Sequence, residues 1–327
     1  VFVVLAFNGS CVVKYLSIPV LIVLALLSIS IGVAHVSLDS LWAGDPESWT
    51  IFTTSRIPRL LAICLAGAGL SVAGLIMQQI CQNRFASPDT TGTIDCALLG
   101  YVVTLVIFSG ANQWLDLTVI VGTAMAGTWL FVRFLQRLKF KNTVLVPLIG
   151  IMYGNVVSSL TQFLAYKYDL IQTLQAWTVA NFSSVLAGNY EVLFVAMPVC
   201  AIAYAYASQF SAASIGESFA KNIGLDYQKV VLFGVTVVAL LSSAVVMIVG
   251  VIPFLGLIVP NVVSLFMGDN IKRNLPWTAF WGVVLVLSCD ILGRVIIFPY
   301  EVPIAMIISI LGGAVFIYLV MRDKANA

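Results

Sequence analysis

Long uncharged stretches joined by short polar segments make up most of this chain. From Leu60 to Asn83, 24 consecutive residues carry no charge. At about 1.5 Å of rise per residue, some 20 helical residues cross a hydrocarbon core roughly 30 Å thick. The pattern recurs along the whole sequence. Apolar spans are predicted at 17–36, 57–81, 91–109, 115–135, 143–165, 191–208, 229–249, 251–268, 276–297 and 303–321. The expected fold is all-α, a polytopic integral membrane protein with about ten transmembrane helices in a single domain over residues 1–327. Residues 1–13 read either as an interfacial segment or as an upstream extension, and the first span lacks a secretory cleavage site.

Composition agrees with a membrane protein and excludes several chemistries. The 327 residues are 61% hydrophobic and 9% charged, with a mean hydropathy of +1.06, whereas a soluble domain carries about 25% charged residues. Six cysteines share no CxxC or Cys/His spacing, and His35 is the single histidine. No metal site and no histidine-based catalysis is therefore expected, and no nucleic-acid partner. The sequence also lacks HExxH, GxSxG and GxxxxGK[ST], so neither an enzyme nor a nucleotide site is predicted, and no cofactor is expected on this chain.

The charges orient the spans. With a cytoplasmic N-terminus, Lys14, Arg84, Arg133, Arg137, Lys139, Lys141, Lys221, Lys229, Lys272, Arg273, Arg322 and Lys324 lie inside, leaving Arg56, Arg59, Lys167 and Arg294 outside. That partition obeys the positive-inside rule, and an even number of spans puts both termini in the cytoplasm.

Four features carry candidate chemistry. Gly67, Ser71, Gly74 and Gln78 share one face of the second span, which suits either close helix packing or the lining of a translocation path. Asp290 and Arg294 are spaced i, i+4 on the ninth span and are predicted to pair. Asp95 lies near the inner end of the third span, either in a water-filled vestibule or snorkelling to the interface. The inner connection at 209–228 is amphipathic, with Ile215, Phe219, Ile223 and Leu225 against Glu217, Lys221 and Asp226, and Gly224 as a helix stop. It reads as an interfacial helix or as a docking element for a cytoplasmic subunit. The outer connection at 166–190 is expected to carry a short surface helix.

Two stretches bear a family resemblance. SRIPRLLAICLAGAGLSVAGLIMQQICQNRFASPDTTG (55–92) resembles the FecCD-type pattern R-x-P-R, glycine-rich helix, G-x-x-x-Q, R-N-P-L-A-x-P, with matches at Arg56, Pro58, Arg59, Gly74, Gln78, Asn83, Ala86, Pro88 and Gly92 and departures at Gln82, Arg84 and Phe85. GVIPFLGLIVPNVVSLFMGDNIKR (250–273) is similar to G-x-I-x-F-x-G-L-x-x-P-H-x-x-R-x-x-x-G, with Asn261 and Ser264 in place of histidine and arginine. Later matches include Pro276, Gly282, Asp290, Arg294, Pro303, Gly312 and Phe316. The resemblance covers nearly the whole chain in order.

The family consists of membrane permeases of ABC importers for iron–siderophores, haem and vitamin B12. By resemblance, this chain is a permease in a bacterial cell membrane, surrounded by membrane lipid and paired with a second permease, a heterodimer being favoured. Two copies of a cytoplasmic ATPase would hold the ATP. Residues 212–226, with Ser214, Gly216, Glu217, Ala220, Lys221 and Gly224 as the motif positions, would dock into the ATPase. Arg56, Arg59 and Arg294 would receive acidic residues of an extracytoplasmic siderophore-binding protein. Asn261 and Ser264 resemble the branch that carries ferric catecholate and mixed catecholate siderophores of the petrobactin, anguibactin and enterobactin types. The alternatives are a haem or vitamin B12 permease of the same family, or an ion-coupled secondary transporter using Asp95 and the Asp290–Arg294 pair.

Overall fold

A computed structural model describes residues 12–31, 44–108, 112–137 and 145–326. His35, Lys139 and Lys141 lie outside the described residues, as do residues 1–11. The helices are α1 (Val12–Ser30), α2 (Pro46–Ile80, with a π-helical turn at Phe52–Arg56), α3 (Thr93–Ile107), α4 (Gln113–Arg137), α5 (Leu145–Lys167), α6 (Ile171–Thr178), α7 (Ala196–Ala205, preceded by a 3₁₀ turn at Glu191–Val195), α8 (Ala207–Ile215), α9 (Glu217–Asn222), α10 (Tyr227–Val249), α11 (Leu255–Met267), α12 (Ile271–Val295) and α13 (Ile304–Asn326).

Among the described residues, five helices are long and apolar enough to cross a membrane: α2, α4, α5, α10 and α12. The 3₁₀ turn with α7, together with α8, makes a sixth span bent by 60°, and α1, α3, α11 and α13 are shorter apolar helices. Each of the ten predicted spans has one of these as its counterpart. The short surface helix expected at 166–190 is α6.

One difference is at the start of α2. The apolar pattern places it at 57, but the helix begins at Pro46. Asp45 is the reason: its carboxylate accepts from the Ser48 backbone N–H at 3.1 Å and from the Ser48 hydroxyl at 2.7 Å, with proline at the first helical position. The added turns mix polar residues with Trp49, Ile51 and Phe52 and carry Glu47 and Arg56, so hydropathy alone passes over them.

α2 is the central element. It packs against α10, α11 and α12, and most of its apolar window is buried inside the protein. α4 and α5 lie at the margin with much of their apolar surface exposed, as lipid-facing helices do.

Chain direction sorts the charges into two ends. Arg59, Arg294 and Glu301 meet at one end of α2. Arg84, Asp269 and the α8–α9 connection meet at the other. By the positive-inside rule the first is the outer end and the second the inner end.

Candidate functional site

At the inner end, α2 stops abruptly, and the turn that follows is held by its own polar side chains. Gln82 takes a left-handed conformation (φ 49°). Asn83 Oδ1 accepts from the Phe85 N–H at 2.8 Å, and Thr91 Oγ1 donates to the Ser87 carbonyl at 2.7 Å. Three contacts fasten this turn to α11 and the loop beyond it. Asp89 accepts from the Phe254 N–H at 3.0 Å, Asn261 Nδ2 donates to the Arg84 carbonyl at 2.7 Å, and Arg84 pairs with Asp269 at 2.9 Å. Arg84, one of the departures from the family pattern, therefore has an ionic partner of its own. Asn261 is buried and acts as a brace for the turn.

Beside the turn lies a cavity of about 250 Å³, lined by Gln78, Gln82, Asn83, Ser214, Ser264 and Asn274 among others. Gln78 Nε2 and Asn274 Oδ1 are buried with no hydrogen-bond partner among the described residues. A cavity of this size and polarity holds water.

The connection from α8 to α10 forms the outer wall of this region. Gly216 has φ 126°, a conformation that a side chain rarely adopts, and it turns the chain from α8 into α9. At the other end of α9, the Leu225 N–H bonds to the Ala220 carbonyl at 2.9 Å and the Gly224 N–H to Lys221 at 3.0 Å. With Gly224 at φ 81°, this is a Schellman C-cap. Ala220 faces the bundle and is buried, whereas Ile215, Phe219 and Ile223 point outward. Glu217 and Lys221 pair at 2.8 Å on the exposed side, and the Glu217 carboxylate raises the Lys221 ammonium above the ordinary lysine value. Asp226 caps α10 and pairs with Lys229 at 3.1 Å, which holds its carboxyl below the usual range. Ser214 bonds to the Ser211 carbonyl and lines the cavity. The six predicted motif residues thus form one short capped helix and its hinges, presenting an apolar trio and a charge pair together.

At the outer end, the predicted Asp290–Arg294 pair is present and buried. It belongs to a larger cluster. Asp290 Oδ1 also accepts from Arg59 Nη2 at 2.8 Å, and Arg59 forks onto Glu301 at 2.9 and 3.0 Å. Arg294 donates to the Ser28 carbonyl, the Ser28 hydroxyl and the Ile31 carbonyl at 2.8, 2.7 and 2.7 Å, and Arg56 donates to Ile31 at 2.7 Å. These are the orphan carbonyls at the C-terminal end of α1, where the helix dipole favours a cation.

The expectation of three outward-facing carboxylate receptors is corrected here. Arg56 and Arg294, 9% and 3% exposed, cap a helix. The Arg59 side chain, 11% exposed, is held between Asp290 and the more exposed Glu301.

The small-residue face of α2 is also resolved. A Cβ on Gly74 would lie 1.8 Å from the Gly256 carbonyl oxygen, and one on Gly67 would lie 2.8 Å from that of Gly282. A Cβ on Gly282 would meet Ser71 Oγ at 2.2 Å. Gly67, Ser71 and Gly74 are thus the seats of α11 and α12 at backbone distance, as the packing alternative requires. Gln78 lines the inner cavity. Asp95 sits in the first turn of α3, where the helix dipole favours an acid, with its carboxylate against Gly154 of α5.

Comparison with known proteins agrees with this architecture. The chain is 48% identical over 315 residues to the petrobactin import system permease protein YclN of Bacillus subtilis (strain 168), covering 96% of this chain and 99% of the relative. It is 36% identical over 309 residues to the petrobactin import system permease protein FatD of Bacillus anthracis, covering 94% and 91%. The fold matches a solved inward-facing ABC transporter of metal-chelate type with a TM-score of 0.76 at 23% identity, over 95% of this chain and 99% of that one. The model of the FecCD transport family matches residues 20–322. Matched by that family model over nearly its whole length and almost half identical to one such permease, the chain is a multi-pass membrane protein belonging to the FecCD transport family.

Proposed function

We propose that this chain is the membrane permease subunit of an ATP-driven importer of ferric siderophores of the petrobactin class. The observation that carries the reading is end-to-end identity of 48% with a petrobactin permease, supported by an inner helix built to be pushed. α9 is short, closed at its C-terminal end by the Schellman cap and flanked by two glycines with positive φ, so a push on Phe219 or Lys221 would be passed to α8 and α10. In this reading two copies of a cytoplasmic ATPase bind the α9 surfaces of two paired permeases, and ATP is hydrolysed on those partners.

The translocation path lies between the paired permeases. Packing supports this, because α2, the helix with the small-residue face, is enclosed by its own neighbours. Capture of a siderophore-binding protein falls to the outer end, where an incoming carboxylate can compete with Glu301 for Arg59.

The direct test is uptake of iron-labelled ferric petrobactin by a strain lacking this chain, with and without the chain restored. Restoration should return uptake to the parental level, and equal uptake by the two strains refutes the proposal.

A further inference from the structure

A second cavity, of about 320 Å³, opens at the outer end, between α3, α4, α6 and α10 and away from the inner machinery. Its walls include Tyr101, Gln113, Asp116, Trp177, Asn189 and Met247. The Tyr101 and Trp177 rings stand 4.7 Å apart at 53° and form an aromatic corner. Asp116 supplies the one carboxylate in the lining, and that carboxylate has no hydrogen-bond or ion-pair partner among the described residues. The corner is held rigid from behind, since the Val251 N–H bonds to the Trp177 carbonyl at 3.2 Å and the Asn181 N–H to Val249 at 3.0 Å.

Each feature has a plain explanation by itself. An acid in a first helical turn satisfies the helix dipole, and tyrosine and tryptophan gather at membrane interfaces. Neither explains why a carboxylate with no partner among the described residues, two aromatic rings and side-chain amides line one cavity. An anion would be repelled by Asp116, and an apolar ligand would leave that carboxylate desolvated and unpaired. An organic ammonium group suits these walls: its charge pairs with Asp116, its methylene or methyl groups lie against the aromatic rings, and Asn189, whose Oδ1 accepts from Gln113 Nε2 at 3.4 Å, keeps its Nδ2 for an adjoining oxygen.

We propose that this cavity is a binding site for an organic ammonium group. Such a group has two sources, the head of a membrane aminolipid or a soluble amine. Exposed Ile107, Phe108, Trp114 and Leu115 border the site, which places it within reach of lipid.

The test uses the full-length chain purified in its membrane complex. Lipid retention is compared in nanodiscs of phosphatidylethanolamine and of phosphatidylglycerol, and tetramethylammonium is titrated against tryptophan fluorescence, with Trp177→Leu identifying the responding ring. Preferential retention of phosphatidylethanolamine, weakened about tenfold by Asp116→Asn, supports the proposal with lipid as the source. A saturable tetramethylammonium response lost in Trp177→Leu and weakened in Asp116→Asn, without lipid preference, supports it with a soluble amine as the source. If wild-type protein shows neither preference nor response, the proposal is overturned. That arm stands even where a variant fails to assemble.

Discussion

At the scale of single residues, the structure separates side chains that occupy space from those that hold charge. Gly74 is a steric position. Any Cβ there must displace the Gly256 backbone, and overpacking of this kind costs about 1–3 kcal/mol. Gly74→Ala should therefore lower the thermal unfolding temperature of the purified complex. Gly122→Ala, on a helix with open space around the added methyl, should leave it unchanged or slightly raised. Equal melting temperatures for the two variants would remove the packing assignment.

Asp290 is an electrostatic position, holding two guanidiniums at once. Asp290→Asn leaves buried positive charge uncompensated, at a cost of about 3–5 kcal/mol. Asp290→Asn with Arg294→Gln should recover part of that loss, and a single variant as stable as wild type would show that the cluster is not held by Asp290. Sequence spacing finds the Asp290–Arg294 pair because i, i+4 is local. It cannot find Arg59, 231 residues away, or the α1 carbonyls that Arg56 and Arg294 cap. The arginines that depart from the positive-inside rule have an internal cause, which a charge count cannot reveal.

At the scale of elements, the ten spans were legible because hydrocarbon demands long apolar helices with satisfied backbones. Two boundaries were not. The first turns of α2 are specified by the Asp45 cap rather than by hydropathy, and the sixth span bends by 60° near Tyr206, continuing as α8 into what reads as an inner connection. The stripe of Gly67, Ser71 and Gly74 was visible as a stripe, but small residues serve a helix contact and a path equally well. Only the neighbours, Gly256 and Gly282, distinguish the two. α9 was legible in part. Its stop at Gly224 was legible and is present, but its buried side is Ala220, while Ile215, Phe219 and Ile223 of the apolar face read from the sequence are exposed.

At the scale of the whole molecule, the two ends of α2 are built differently. The outer end is locked by a buried charge cluster that joins α1, α2, α12 and the loop bearing Glu301. The inner end is a braced turn beside a polar cavity, with the α9 surface exposed next to it. This asymmetry suits a subunit that is driven from one side. The central claim is that ATP hydrolysis on a partner reaches this chain through α9. The most direct measurement is ATP-dependent uptake of labelled ferric petrobactin into proteoliposomes containing the assembled importer, with ATPase activity followed in the same samples. Glu217→Arg combined with Lys221→Glu keeps the i, i+4 pair within α9 but reverses the charges offered to the partner. The account predicts that this exchange abolishes most uptake while hydrolysis continues, with the complex still inserted in the membrane. Uptake equal to wild type, in step with hydrolysis, would contradict it.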